Sequence, residues 1–333
     1  MPTNPTVAIW NTRSTCGLPK KAKKLKDYYN NVEIKLAAQL TPLELFDDTL
    51  ILPGVWPDYG VALEASAFGC EVKFFENNPP QALPFMKNYN EINDLKLIDP
   101  KRDGLMPKAL EEYKFMLQNI PSRFIKKMDY LDGCVVTAGP LEVSSMIMGH
   151  ELFYLGFYNA PSLIKKLLEI VTEGICKWLS EVKLVSGRIK IYSMIEHLPG
   201  QISREHFIEY GYPYIKQIFA ESNADIKLYH NEDNINHIND YISKLGIDIF
   251  HFGDIGSLSI KKLISKIGDS IIVMGNVSPL EVLLKGNEEV VRKASLQCIR
   301  EGKTHLILSS GGGMAPGTPK ENIKAMVNAA RKD

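Results

Sequence analysis

Late in the 333-residue chain an apolar run, Ile226-Lys227-Leu228-Tyr229, ends in His230-Asn231-Glu232-Asp233-Asn234. An imidazole followed closely by two carboxylates can hold a metal ion or move protons. The plainer reading is a strand followed by a solvated polar loop, with Asn234 capping the next helix. Similar endings recur along the chain. Glu196-His197 closes the run 189–195. His251 ends the run 247–252, with Asp254 just beyond. Asn276 follows Gly275, Ser309-Ser310 leads into Gly311-Gly312-Gly313, and Asp58-Tyr59 lies beyond Leu50-Ile51-Leu52.

The elements that must position these residues are short apolar runs at 6–10, 48–52, 133–138, 189–195, 225–230, 247–252, 270–275 and 305–309. Helical spacing separates most of them, at 32–46, 107–119, 161–183, 203–221, 234–244, 259 onward, 279–284, 287–301 and 319–331. Fully apolar strands alternating with helices specify a parallel sheet. Eight such units in one chain predict an α/β fold, a (β/α)8 TIM barrel forming a single domain over 1–333, with an insertion after the second strand. Glu71-Val72-Lys73-Phe74-Phe75 and the turn at Asn77-Asn78-Pro79-Pro80 belong to that insertion. An open doubly wound sheet usually carries a glycine-rich turn after its first strand, and this chain has none there. In such a barrel the strand ends converge on one mouth, which turns the residues above into one candidate site. Ser203 is the expected N-cap of its helix, and Thr318-Pro319 the expected start of the last one.

Composition excludes several classes. Basic and acidic side chains number 39 each, so the chain lacks the basic excess of a nucleic-acid binder. No apolar run approaches the ~20 residues that span a bilayer, and the start reads as no signal peptide, so a cytoplasmic location is expected. The five cysteines are odd in number and widely spaced, against a disulfide framework or a zinc ribbon.

The block "MGNVSPLEVLLKGNEEVVRKASLQCIREG", followed by "LILSSGGGMAPGTPKENIKAMVNAAR", resembles the uroporphyrinogen decarboxylase superfamily. So do "FDDTLILPGVWPDYGVALEASAFGCEVKF", "TAGPLEVSSMIMGHELFYLGFYNAPSLIKKLLEIV" and "EHLPGQISREHFIEYGYPYIKQIF". The resemblance implies a (β/α)8 barrel and one of two activities. One is decarboxylation of uroporphyrinogen without a metal, which needs arginines near the N-terminus; in "AIWNTRSTCGLPKK" only Arg13 remains of a doublet. The other is methyl transfer to or from the corrinoid (cobalamin) of a separate protein, usually with zinc.

Thiol-using methyltransferases of this superfamily carry a His-x-Cys pair and a second cysteine in the glycine loop. Here His230 is retained, Glu232 stands at the first cysteine and Gly312 at the second. Exchanging thiolates for a carboxylate leaves a harder, more Lewis-acidic ion suited to an oxygen ligand. The resemblance therefore implies the substrate-side methyltransferase of an anaerobic O-demethylase system, acting on a methyl ether such as a phenyl methyl ether. Methylamine, methylthiol or coenzyme M substrates, a decarboxylase-like activity, and a non-catalytic tetrapyrrole-binding barrel stay open. The expected zinc ligands are His230, Glu232 and Glu196, with Asp254, His251 and Glu209 as weaker candidates. Without a metal, His230 and Glu232 would protonate the leaving oxygen directly. Trp56, Tyr59 and Tyr192 are expected to contact the substrate ring, and Asn276 and Ser310 to hydrogen-bond it. The expected partners are a corrinoid protein and a small methylated substrate, with no nucleic acid and no membrane. A homodimer is left open.

Overall fold

A computed structural model describes residues 5–11, 24–46, 49–253 and 259–331. Ten strands are found among them: β1 Thr6–Trp10, β2 Leu50–Leu52, β3 Glu71–Lys73, β4 Gln81–Leu83, β5 Cys134–Ala138, β6 Ile191–Ile195, β7 Ile226–Asn231, β8 Ile249–Phe252, β9 Ile272–Val277 and β10 Leu306–Ser310. Eight of these form one parallel sheet in the order β2-β1-β10-β9-β8-β7-β6-β5. The sheet curls into the expected TIM-barrel-like α/β fold. Among the described residues no backbone ladder joins its ends, β2 and β5. The Tyr130 hydroxyl bridges there instead, accepting from Ile51 N at 2.9 Å and donating to Ile51 O at 3.1 Å.

The expected insertion lies between β2 and β5. It contains the antiparallel pair β3–β4 and the helices Ala62–Ala67, Met106–Asn119 and Ser122–Lys127. Two further helices, Pro140–Met148 and His150–Asn159, escaped the sequence reading. They meet at Gly149, whose φ of +82° ends one and opens the other.

Side chains alternate across each strand. One face of the sheet turns Ala8, Trp10, Leu52, Cys134, Ile191, Leu228, Ile249, Met274 and Ile307 into a small core inside the barrel. The other face packs Ile9, Tyr192, Met194, Tyr229, Phe250, Val273 and Leu308 against the helices. This parity decides which strand-end residues reach the mouth.

Ser203 caps its helix as expected, its side chain accepting from His206 N. The helical stretch at 203–221 is broken by a wide turn at Phe207–Gly211. The last helix begins one residue late: Pro319 is the cap, and the Thr318 hydroxyl donates to Ala315 O. Asn234 accepts from Asn236 N, a local turn rather than a cap for the helix Asn239–Ile242. Among the described residues, no helix is long and apolar enough to cross a membrane.

Candidate functional site

His230 on β7 and His251 on β8 are register partners, so their rings enter the barrel side by side. Both are buried. Their Nδ1 atoms lie 2.9 Å apart, and His251 Nε2 lies 2.9 Å from Ser310 O. A carbonyl only accepts, so His251 Nε2 carries the hydrogen. The Gly312 amide also approaches this nitrogen, but at 3.3 Å. The shorter contact decides the tautomer. With neutral rings, His251 Nδ1 is then the acceptor, and His230 Nδ1–H donates to it.

The consequence falls on the far side of His230. Its Nε2 is left with a lone pair, and it faces Glu232 Oε1 at 3.1 Å. Two electron-pair donors at this distance must share a cation, either a proton or a metal ion. Burial is the main influence on His230 and lowers its pKa against the opposing pull of Glu232. Burial alone would raise the Glu232 carboxyl, but hydrogen bonding and charge from His230, with the Gly313 amide, hold it down to about 2. We take Glu232 as ionised and the proton on His230 as labile. Burial and then the neighbouring His230 push His251 down to about 3, so it stays neutral.

Two neighbours complete the cluster. Trp10 at the end of β1 stacks on His230, with centroids 4.9 Å apart and planes at 28°, and meets His251 edge-on at 4.7 Å. His197 Nδ1 accepts from the Glu232 amide at 3.2 Å, and its ring lies T-shaped to His230 at 5.3 Å. Sequence reasoning did not single out Trp10, although it shares the inward parity of Ala8 on β1.

Other expected site residues are elsewhere. Glu196 is fully buried on the helix side of the sheet. Its Oε2 accepts from Leu141 N at 2.9 Å and its Oε1 from Glu142 N at 3.1 Å. It serves the N-terminus of the helix Pro140–Met148, where the helix dipole favours a carboxylate. Gly139 leaves room for it, since a Cβ there would overlap the carboxylate. Thus β6 delivers His197, and not Glu196, to the cluster.

Tyr192 faces the helices; it bonds Thr137 Oγ1 at 2.8 Å and packs on Phe219. Tyr59 is buried, donating to Glu112 at 2.8 Å beneath the Lys35 ammonium. These two rings are committed to the layer between strands and helices, away from a substrate in the mouth. Glu209 forms a surface ion pair with Lys165 at 2.7 Å. Asn276 Oδ1 is approached by Cys298 Sγ at 3.7 Å, which turns it towards the helix Glu288–Gly302. The Ser310 hydroxyl donates to Gly312 O at 2.7 Å, and only its main-chain oxygen serves the cluster, through His251. Trp56 is buried with its backbone held by Gln39; its indole N–H has no partner among the described residues. Asp254 and Arg13 lie outside the described residues.

The test for zinc turns on the donor set. His230 Nε2 and Glu232 Oε1 are of the right types and converge, so they fit a cation. Catalytic zinc takes three protein ligands, and no third His, Cys, Asp or Glu joins them among the described residues.

The profile of the family "Uroporphyrinogen decarboxylase (URO-D)" matches residues 15–332. The chain belongs to the uroporphyrinogen decarboxylase family. The chain is 24% identical to uroporphyrinogen decarboxylase of Rickettsia felis, over 94% of this chain and 87% of that one. It is 22% identical to methylated-thiol–coenzyme M methyltransferase of Methanosarcina mazei, over 83% and 71%. A solved methyltransferase from Methanosarcina mazei superposes with a TM-score of 0.80 at 21% identity, covering 99% of this chain and 94% of that one. A B12-independent methionine synthase from Shewanella sp. W3-18-1 superposes at 0.63 and 11% identity, covering 98% and 97%. At these identities the structural likenesses establish the fold, and the similar proteins include decarboxylases and methyltransferases.

Proposed function

We propose that this uroporphyrinogen decarboxylase family member is a methyltransferase, moving the methyl group of a small methylated substrate, foremost an O-methyl ether, to the corrinoid of a partner protein. The observation that carries this reading is the His230–Glu232 pair at the barrel mouth. It is an acid–base pair of one imidazole and one carboxylate, with no thiolate.

The corrinoid, presented by its partner, supplies the nucleophile that accepts the methyl group. The residues of this chain act on the other half of the substrate. As the carbon–oxygen bond breaks, the oxygen keeps the electron pair and takes the proton from His230 Nε2. Glu232 remains anionic throughout. It keeps the proton at Nε2 until the oxygen becomes basic enough to claim it. His251 and Trp10 fix the plane of the imidazole. If zinc is bound, His230 Nε2 and Glu232 Oε1 would hold it, and it would polarise the leaving oxygen.

The test is methylation of reduced corrinoid protein by a panel of methyl ethers, methylamines and methyl thiols. Methyl ethers are expected to react. Silence across the panel would sink the proposal. The similarity of the chain to uroporphyrinogen decarboxylases supports a second reading, decarboxylation of uroporphyrinogen, which loss of substrate mass would reveal.

A further inference from the structure

Glu232 reaches His230 through a space that a side chain on the glycine loop would fill. A Cβ built on Gly312 overlaps Glu232 Cδ and Oε1 far inside van der Waals contact and meets Cγ at 2.9 Å. The loop backbone then holds the carboxylate in place: Gly313 N donates to Glu232 Oε1 at 3.0 Å. The same loop fixes the other half of the pair, since Ser310 O accepts from His251, which in turn accepts from His230. Gly312 also has φ of +115°, a conformation costly for any other residue.

We propose that Gly312 is a positioning residue, whose missing side chain is what lets the Glu232 carboxylate seat against His230 Nε2. The carboxylate and a side chain at 312 are mutually exclusive. Residue 312 thereby decides whether this mouth holds an imidazole–carboxylate pair or a different donor set. Its role in turnover rests on the methyl-transfer reading; its role in seating Glu232 does not.

The experiment separates steric overlap from backbone strain. Gly317 has φ of +85°, and a Cβ there meets nothing within 4 Å, so Gly317→Ala measures strain alone. Gly312→Ala should lower the thermal midpoint more than Gly317→Ala does, by an amount limited by the freedom of the half-exposed Glu232 side chain to swing aside. In a Glu232→Ala background, which removes Cγ, Cδ and Oε1, the added loss from Gly312→Ala should shrink, leaving only the strain of a side chain at φ +115°. If Gly312→Ala fails to fold, the Gly312→Ala/Glu232→Ala double variant should restore soluble protein. An equal loss in both backgrounds, or an unrescued double variant, overturns the proposal. A crystal structure of Gly312→Ala should show the His230–Glu232 contact opened beyond hydrogen-bond range; an intact contact also overturns it. With an active methyl donor in hand, Gly312→Ala should reduce kcat at least tenfold with KM for that donor little changed. Gly317→Ala should keep both. If no donor is found, the functional reading fails while the stability and structural results still decide the seating.

Discussion

His251 Nε2 lies 2.9 Å from the main-chain oxygen of Ser310, and this contact sets which nitrogen of His230 carries its hydrogen: Nδ1, which faces His251, rather than Nε2, which faces Glu232. The carbonyl belongs to the backbone and only accepts, so at 2.9 Å it favours the His251 tautomer with hydrogen on Nε2 over the 3.3 Å approach of the Gly312 amide to the same nitrogen. His251→Phe keeps a ring in the space but removes the acceptor for His230 Nδ1–H. Groups that orient a functional imidazole in this way typically matter by roughly 10- to 100-fold. We expect that loss in methyl transfer, with the protein still folded. Nitrogen-15 spectra of the imidazoles should show His230 changing its protonated nitrogen. An unchanged His230 spectrum would refute the relay.

The depressed Glu232 pKa predicts a specific acid sensitivity. The carboxyl is held from its usual 4.5 down to about 2. Between these values the unfolded chain binds more protons than the folded one, so stability falls with falling pH. The contribution is complete above 4.5 and gone below 2. Glu232→Gln should remove this part of the acid loss, seen as a shallower drop in thermal midpoint below pH 4.5. Glu232 is half-exposed, so the difference is expected to be modest.

Glu64 predicts the opposite slope. It is buried, and neither carboxyl oxygen has a side-chain hydrogen-bond partner among the described residues. Burial pushes it up to about 8, weakly opposed by the backbone of Glu64 and Ala138. Its folded pKa is raised, so stability is full below the unfolded value of 4.5 and is lost as pH rises through 8. Glu64→Gln should flatten the decline in thermal midpoint between pH 5 and 8. A parallel decline in the variant would rule out Glu64 as its source.

Glu196 should prove structural. Glu196→Ala strips the acceptor from the buried amide of Leu141 and the half-buried amide of Glu142, at a cost of about 1–3 kcal/mol in denaturant unfolding. Metal analysis should find the content of this variant equal to that of the parent protein. If the parent binds zinc, His230→Ala should lose it. Loss of metal in Glu196→Ala would restore it as a ligand.

The eight strands of the barrel were legible in the sequence to within two residues, because apolar runs bounded by turns have few other uses, whereas the short, half-exposed β4 was not. Side-chain parity was not. Strands buried on both faces show no alternation, so nothing told Glu196 from His197, or Tyr192 from its neighbours, as the one facing inward. His230 and Glu232 were visible through their types and spacing. Trp10 was hidden because an aromatic residue in an apolar strand carries no mark of its partner. The helices Pro140–Met148 and His150–Asn159 were missed because their apolar residues surround much of each helix and blur the period.

The Tyr130 hydroxyl at the β2–β5 boundary has a mechanical meaning. Among the described residues, seven junctions of the cylinder are backbone ladders, and the eighth is a side-chain clasp. Such a cylinder is a split ring. A split ring dilates at its gap while the rest of its wall keeps its curvature. The long excursion between β2 and β5 springs from both lips of that gap. The imidazole pair at the ends of β7 and β8 sits in the continuous arc, held on both sides by backbone ladders and away from the clasp.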